Sequence, residues 1–176
     1  MNLDQLQKYY CENLENRVFR FQLLNRVVDV IFYREMLCHL LGIQHIVKSK
    51  KYLGAKGYEN IASGMITVPK LKKINGKGFE GVKLRFQFFS YIREILETGE
   101  LYRFYRDRTM PATSIVSDFL VFKLHDEVYL HLFLRKEREN RYVAVSFIPR
   151  KIHEKNARQF VDGQEYKKIM ERIILT

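Results

Sequence analysis

Two periodicities divide this chain. In residues 2–14, Leu3, Leu6, Tyr10 and Leu14 recur at helical spacing and predict a short helix with one apolar side. Residues 17–24 and 27–33 are rich in β-branched and aromatic residues and flank Asn25-Arg26, the pattern of a hairpin. The apolar run Met36-Leu37-Cys38-His39-Leu40-Leu41-Gly42-Ile43 follows at once. At about 100° per residue, Met36, Leu37, Leu40, Leu41 and Ile43 share one arc of a helix that ends between Gly42 and Val47. Residues 48–57 are basic and turn-rich, and Ser49, Gly54 and Gly57 are expected to break any helix there. Residues 58–65 predict a short helix, and Asn75-Gly76-Lys77-Gly78 a second break.

Residues 82–98 carry both periods. Val82, Leu84, Phe86 and Phe88 alternate as in a strand, while Leu84, Phe88, Ile92 and Ile95 repeat as on a helix face. The length and the Thr98-Gly99 stop favour a helix with an irregular start. Strands then dominate. Residues 101–106 are aromatic and basic, and residues 115–124 and 128–135 are strongly β in character. Residues 142–148 follow the charged turn Lys136 to Arg141 and are closed by Pro149. Residues 154–174 read as a terminal amphipathic helix weakened at Gly163. The sum is α+β: a compact single domain over residues 1–176, with helices packed on a mostly antiparallel sheet of about four strands.

Composition changes this picture in one respect. The 47% of hydrophobic residues suffices for a core, but the formal charge of +11 points to a polyanionic partner. RNA, DNA, or an acidic protein or membrane surface fits that charge. Cys11 and Cys38 are too few for a disulfide framework and have no zinc-ligand spacing, so they read as reduced thiols of a cytoplasmic protein. Asp4 comes early with no apolar core after it, so no signal peptide is expected, and no run approaches membrane-spanning length.

Candidate chemistry centres on histidine. His39 falls at the edge of its apolar arc, beside Ile43. Packing can hold such a residue rigidly while a ring nitrogen faces a cleft; a half-buried packing histidine is the ordinary alternative. Cys38 adjoins it and points about 100° away, which argues against a Cys–His nucleophilic pair. Along residues 128–135, Val128, Leu130, Leu132 and Leu134 take one face and Tyr129, His131, Phe133 and Arg135 the other. The second stripe is either an open RNA surface, with rings to stack on bases and Arg135 for phosphate, or a face covered by the C-terminal helix. A turn at Arg138-Glu139 would pair His131 with Ser146, and one at Glu139-Asn140 would pair Phe133 with Ser146. Either puts Ser146 on the His131 face; an odd-length loop puts it on the leucine face.

Single-step RNA cleavage needs a base for the 2′-hydroxyl, a donor for the leaving oxygen and cations near the phosphate. His39 or His131 suits proton transfer, Arg135, Arg106 or Lys123 suits the phosphate, and Ser146 can hydrogen-bond a phosphate oxygen. His45, His125 and His153 look less useful. The chain has no phosphate-binding GxxxxGK[ST] loop. Glu165-Tyr166-Lys167 fits half of a magnesium-nuclease motif, but its near acidic partner, Asp162, lies on the same expected helix. No metal or cofactor is called for. The basic runs at Lys48–Lys51 and Lys70–Lys77 read as solvated loops or phosphate-tracking surface.

Three stretches together resemble a phage-associated family of Barnase–EndoU–Colicin–RelE-like nuclease domains. They are residues 32–46, with His39-Leu40-Leu41-Gly42; residues 114–136, with Ser114, Ile115, Asp118, Phe119 and Leu120 and the basic Arg135-Lys136; and residues 142–175, with Ser146-Phe147 and Gln164. The resemblance covers most of the chain, and the order of its short motifs carries more weight than any one of them. It implies a ribonuclease-like fold with His39 and Ser146 in the active centre and Arg135 as a looser match. Phe119 stands where the family has Tyr, and Ile148 where it has an aromatic. The expected function is a metal-independent endoribonuclease of phage or mobile-element type, acting as a toxin or conflict effector. The alternative is a catalytically inactive relative that binds RNA or inhibits a defence complex. Lys123, Tyr129, Phe133, Lys136, Arg106 and Gln164 are the expected RNA contacts. RNA is the expected partner, with a neutralising or target protein as a further one.

Overall fold

The computed structural model describes residues 2–176. Its first helix, α1 (Leu3–Asn13), starts where Asn2 caps the chain: the Asn2 side chain accepts from the first turn, and the Gln5 side chain accepts from the Asn2 N–H. Leu3, Leu6 and Tyr10 form its buried stripe. Strands β1 (Val18–Gln22) and β2 (Val27–Ile31) form the expected hairpin, but its turn is Leu24-Asn25, one residue before the expected Asn25-Arg26, because the Leu23 N–H bonds the Arg26 carbonyl.

The next segment is more broken than its periodicity predicts. A 3-10 turn at Arg34–Met36 leads into a one-turn helix, α2 (Leu37–Leu40). Gly42 (φ 78°) then turns the chain into a second 3-10 turn at Ile43–His45. Residues 54–57 correct the expectation of a helix-breaking stretch. Gly54 (φ 58°) opens α3 (Gly54–Ala62), and Gly57 lies inside it. A Cβ on Gly57 would come within 2.6 Å of Cys38 Sγ, so that glycine permits close packing rather than a break. After α4 (Val68–Ile74), Asn75 caps α5 (Gly76–Phe88) by accepting from the Gly78 N–H. A 3-10 turn at Phe89–Tyr91 separates α5 from α6 (Ile92–Thr98), so the irregularity expected at the start of this segment lies in its middle.

The second half builds β3 (Glu100–Arg103), β4 (Phe119–His125), β5 (Val128–Arg138), β6 (Arg141–Lys151), β7 (Glu165–Lys167) and β8 (Glu171–Leu175). Among the described residues these join one eight-stranded sheet in the order β7-β3-β4-β5-β6-β2-β1-β8, antiparallel except between β2 and β6. The expectation of about four strands is therefore too small. The expected helix over residues 154–174 does not form: turns run from Ile152 to Gly163, and β7 and β8 follow. The physical reason is tertiary. β8 pairs with β1 along five residues, while Arg172 donates to the carbonyls of Leu96 and Gly99. Edge pairing satisfies backbone groups that an isolated helical pattern cannot anticipate. Three residues join β7 to β8 and span at most roughly 14 Å, so the sheet curls until its two edges approach.

One face of the curled sheet carries the main core. Leu130, Leu132, Leu134 and Phe147 pack there with α1, α2, α5 and α6 residues such as Leu6, Leu40, Phe86 and Ile95. On the other face, Phe104, Leu120, Phe122 and Phe133 are covered by Phe160 and Val161 from the turn segment. The second stripe of β5 is thus covered, by turns rather than by a helix. Among the described residues, no helix is long and apolar enough to cross a membrane.

Candidate functional site

The site grows from an irregularity in β6. Phe133 pairs with Ser146, but Leu134 pairs with Ala144, so Val145 is the extra residue of a bulge. A second irregularity leaves Glu137 unpaired on β5, and the hairpin closes with Arg138 opposite Arg141 around Glu139-Asn140. The two extra residues lie on opposite strands and cancel, which keeps Ser146 opposite Phe133. The bulge leaves both Val145 and Ser146 half-buried. β6 is also short of a neighbour here. β2 accompanies it only through Val143, and beyond that point α2 and α5 pack against it.

A cleft of about 590 Å³ opens beside this bulge, lined by His39, His45, Arg85, Arg135, Ser146 and Arg150 among others. That volume suits a small polar ligand or a segment of a longer one. Leu37, Cys38, Leu40 and Leu41 are fully buried and lock α2 in place, which leaves His39 as the exposed residue of that turn. The αL turn at Gly42 brings His45 back to the same cleft. Residues 113–116 close the far wall. They were expected to lie at or beside the start of β4, but pairing begins at Phe119; Asp118 fixes that start by accepting from the Lys136 N–H and bonding Arg103.

Electrostatics are one-sided. Among the described residues, no carboxylate lines the cleft. His39 is held below the usual imidazole pKa, first by loss of water against the cleft walls and then by the Arg85 charge; the Val145 backbone acts the other way. His45 is lowered by the same two causes. Burial lowers Arg85 itself to about 10. Arg150 donates to the Asn156 carbonyl and Gln159 Oε1, both at 2.9 Å, and lies over the Phe160 ring. These residues favour an anion, and no group of three His, Cys, Asp or Glu among the described residues could hold a metal ion.

Of the residues expected from sequence, the structure brings His39, Ser146 and Arg135 to one cleft. It places the others elsewhere. His131 is 0% exposed, enclosed by Phe122, Phe133 and Phe160. Its Nδ1 donates to the Ile148 carbonyl at 2.8 Å, Nε2 has no partner, and burial lowers its pKa to about 4. Phe133 is likewise fully buried. Tyr129 lies in a separate groove with Arg108, Ile152 and Arg158. Lys123 is paired with Glu94 at 2.9 Å and Thr98 at 2.6 Å. Arg106 sits in a 3-10 turn at Arg106–Arg108, and Lys136 is exposed on the outer half of β5. Gln164 clamps Tyr105, accepting from its N–H at 2.7 Å and donating to its carbonyl at 3.0 Å. Glu165 is tied to Lys167 and Tyr105 on β7.

His45, judged less useful from sequence, lines the cleft, and Arg85 and Arg150 were not singled out. Arg85 had one usable signal. It sits at the edge of the arc of Phe79, Val82, Phe86 and Phe89, the same kind of boundary position that drew attention to His39. Nothing local marked Arg150 or His45, because the bulge and the αL turn that aim them follow from tertiary packing.

The fold is an α+β domain built on one curled sheet, with a basic, carboxylate-free cleft at its bulged strand. The chain belongs to the phage-Barnase-EndoU-ColicinE5/D-RelE like nuclease4 family, whose model matches residues 2–173. The family name marks it as a nuclease of phage type. No curated protein and no solved structure matches the chain.

Proposed function

We propose that this chain is an endoribonuclease of phage or mobile-element type, acting in the cytoplasm as a single nuclease-like domain in conflict between phage and host. The observation that carries the reading is the His39 cleft: an exposed imidazole, cations for phosphate and no carboxylate in the lining. Such a lining favours direct attack by the 2′-hydroxyl over magnesium chemistry, which wants converging carboxylates. His39 takes the 2′-hydroxyl proton as O2′ attacks phosphorus. The P–O5′ bond breaks, and the departing O5′ takes a proton from His45, the other imidazole of the cleft. The products are a 2′,3′-cyclic phosphate and a 5′-hydroxyl. Arg135 at the rim and the Ser146 hydroxyl hold the phosphate oxygens during transfer.

Incubation of the purified protein with total RNA in EDTA tests this. Cleavage to cyclic-phosphate ends is expected, with binding that weakens steeply as salt rises. A requirement for added magnesium overturns the mechanism. Salt-dependent binding without any cleavage favours the second reading, an inactive relative that binds RNA or inhibits a defence complex.

A further inference from the structure

We propose that Arg85 is the anchoring anion site of this cleft, its guanidinium receiving the non-bridging oxygens of the phosphodiester that His39 acts on. The identity of the anion rests on the nuclease reading above; the site itself rests on geometry. Arg85 projects from α5, half-buried, and it lines two grooves at once. One is the His39 cleft. The other runs over Ile148, Pro149 and Arg150 to Lys155, with Glu80 and Glu154 on its walls. A group at this junction meets a chain that passes from one groove into the other.

Arg85 lacks what a structural arginine has. Arg20, Arg103, Arg150 and Arg172, half-buried like it, bond Asp29, Asp118, Gln159 and the Leu96 and Gly99 carbonyls respectively. Among the described residues, none makes a hydrogen bond or ion pair with the Arg85 side chain. An unpaired guanidinium drawn partly out of water is costly unless a ligand completes it. The fold also makes room for it. A Cβ on Gly42 would come within 3.1 Å of Arg85 Cδ and 3.2 Å of Nε, and Val82 Cγ1 would lie at 2.9 Å. The glycine that turns the chain from His39 to His45 therefore also lets Arg85 lie between them. The charged or titratable groups lining the His39 cleft with it are His39 next to that glycine, His45 beyond it, Arg135 on β5 and Arg150 on β6. The planar fork of arginine matches two phosphate oxygens, and charge-assisted bonds of this type are the strong ones.

The role has a second consequence. A bound phosphate offsets the Arg85 charge, which ranks after loss of water in holding both imidazoles below their ordinary pKa, so substrate binding favours the protonated form that His45 needs as donor.

The test uses two backgrounds. In the His39→Ala protein, where cleavage should be about 10²–10⁴-fold slower, Arg85→Ala should weaken binding of a short RNA oligomer at least tenfold and reduce the salt slope by about one contact. Arg85→Lys should recover part of the binding. With His39 present, Arg85→Ala should lower kcat and move the His39 limb of the pH–rate profile upward, a change that simple loss of packing does not produce. Inorganic phosphate should raise the Tm of the wild type and not that of Arg85→Ala; Arg85→Gln serves if the alanine variant does not fold. Wild-type cleavage, salt slope and pH profile in Arg85→Ala would overturn the proposal. A wild type that binds phosphate through Arg85 yet cuts no RNA would leave the anion site standing and remove the nuclease reading.

Discussion

His39 and His131 approach the same strand, β6, from two sides and show what enclosure does to an imidazole. His39 rises from a locked helical turn into an open, basic cleft. His131 projects from β5 into an aromatic shell and spends its Nδ1 on the Ile148 carbonyl. Both are pushed toward the neutral form, and loss of water is the leading cause for each. The difference lies in what surrounds them. Around His39 the cleft is open, and the Arg85 guanidinium in its lining bonds no described residue, which suits a ligand site. Around His131 the space is filled by Phe122, Phe133 and Phe160, so the same shift arises chiefly from burial with no cleft beside it. A lowered pKa by itself therefore does not separate the two roles; access does.

Removing each imidazole in turn separates the two roles. His39→Ala should cost cleavage about 10²–10⁴-fold while the thermal transition stays near the wild type. His131→Leu should leave the cleavage rate near the wild type. Parallel rates and melting curves for both variants check this, and loss of activity in His131→Leu with an intact fold would merge the two regions into one site.

Acid should sharpen the comparison next. The folded pKa of His131, about 4, lies below the ordinary value of 6.5, so the unfolded chain takes up a proton that the folded chain refuses. Its contribution is whole above pH 6.5 and is lost as pH falls toward 4, on the order of 3 kcal/mol. His39 and His45 act in the same direction. Denaturant unfolding between pH 7 and 4 should therefore show a flatter profile for His131→Leu than for the wild type. Identical slopes would take His131 out of the account.

Ser146 gives the smallest effect. It sits beside the bulge that opens the cleft, and a hydroxyl hydrogen bond to an anionic phosphate contributes about 1.5–3 kcal/mol. Ser146→Ala should slow cleavage roughly 10–100-fold. A loss as large as that of His39→Ala would mean that Ser146 does more than hold an oxygen.

Much of the local structure was legible from the chain. Leu3, Leu6 and Tyr10 marked α1, strict alternation marked β5, and the apolar arc of α2 isolated His39 at its edge, because burial of one face imposes its period on the sequence. The turn at Glu139-Asn140 and the Ser146–Phe133 pair were among the registers that alternation allowed. Other features were settled by contacts between distant segments. Residues 165–175 have a composition compatible with a helix, and they became β7 and β8 because two sheet edges needed partners. The covering of His131 depended on where Phe160 landed. The cleft depended on the Val145 bulge, on β2 leaving β6 after Val143, and on Gly42 making room for Arg85. Periodicity records which way a side chain faces its own element. Which cation meets which imidazole across a cleft is decided when α2, α5 and β6 pack together.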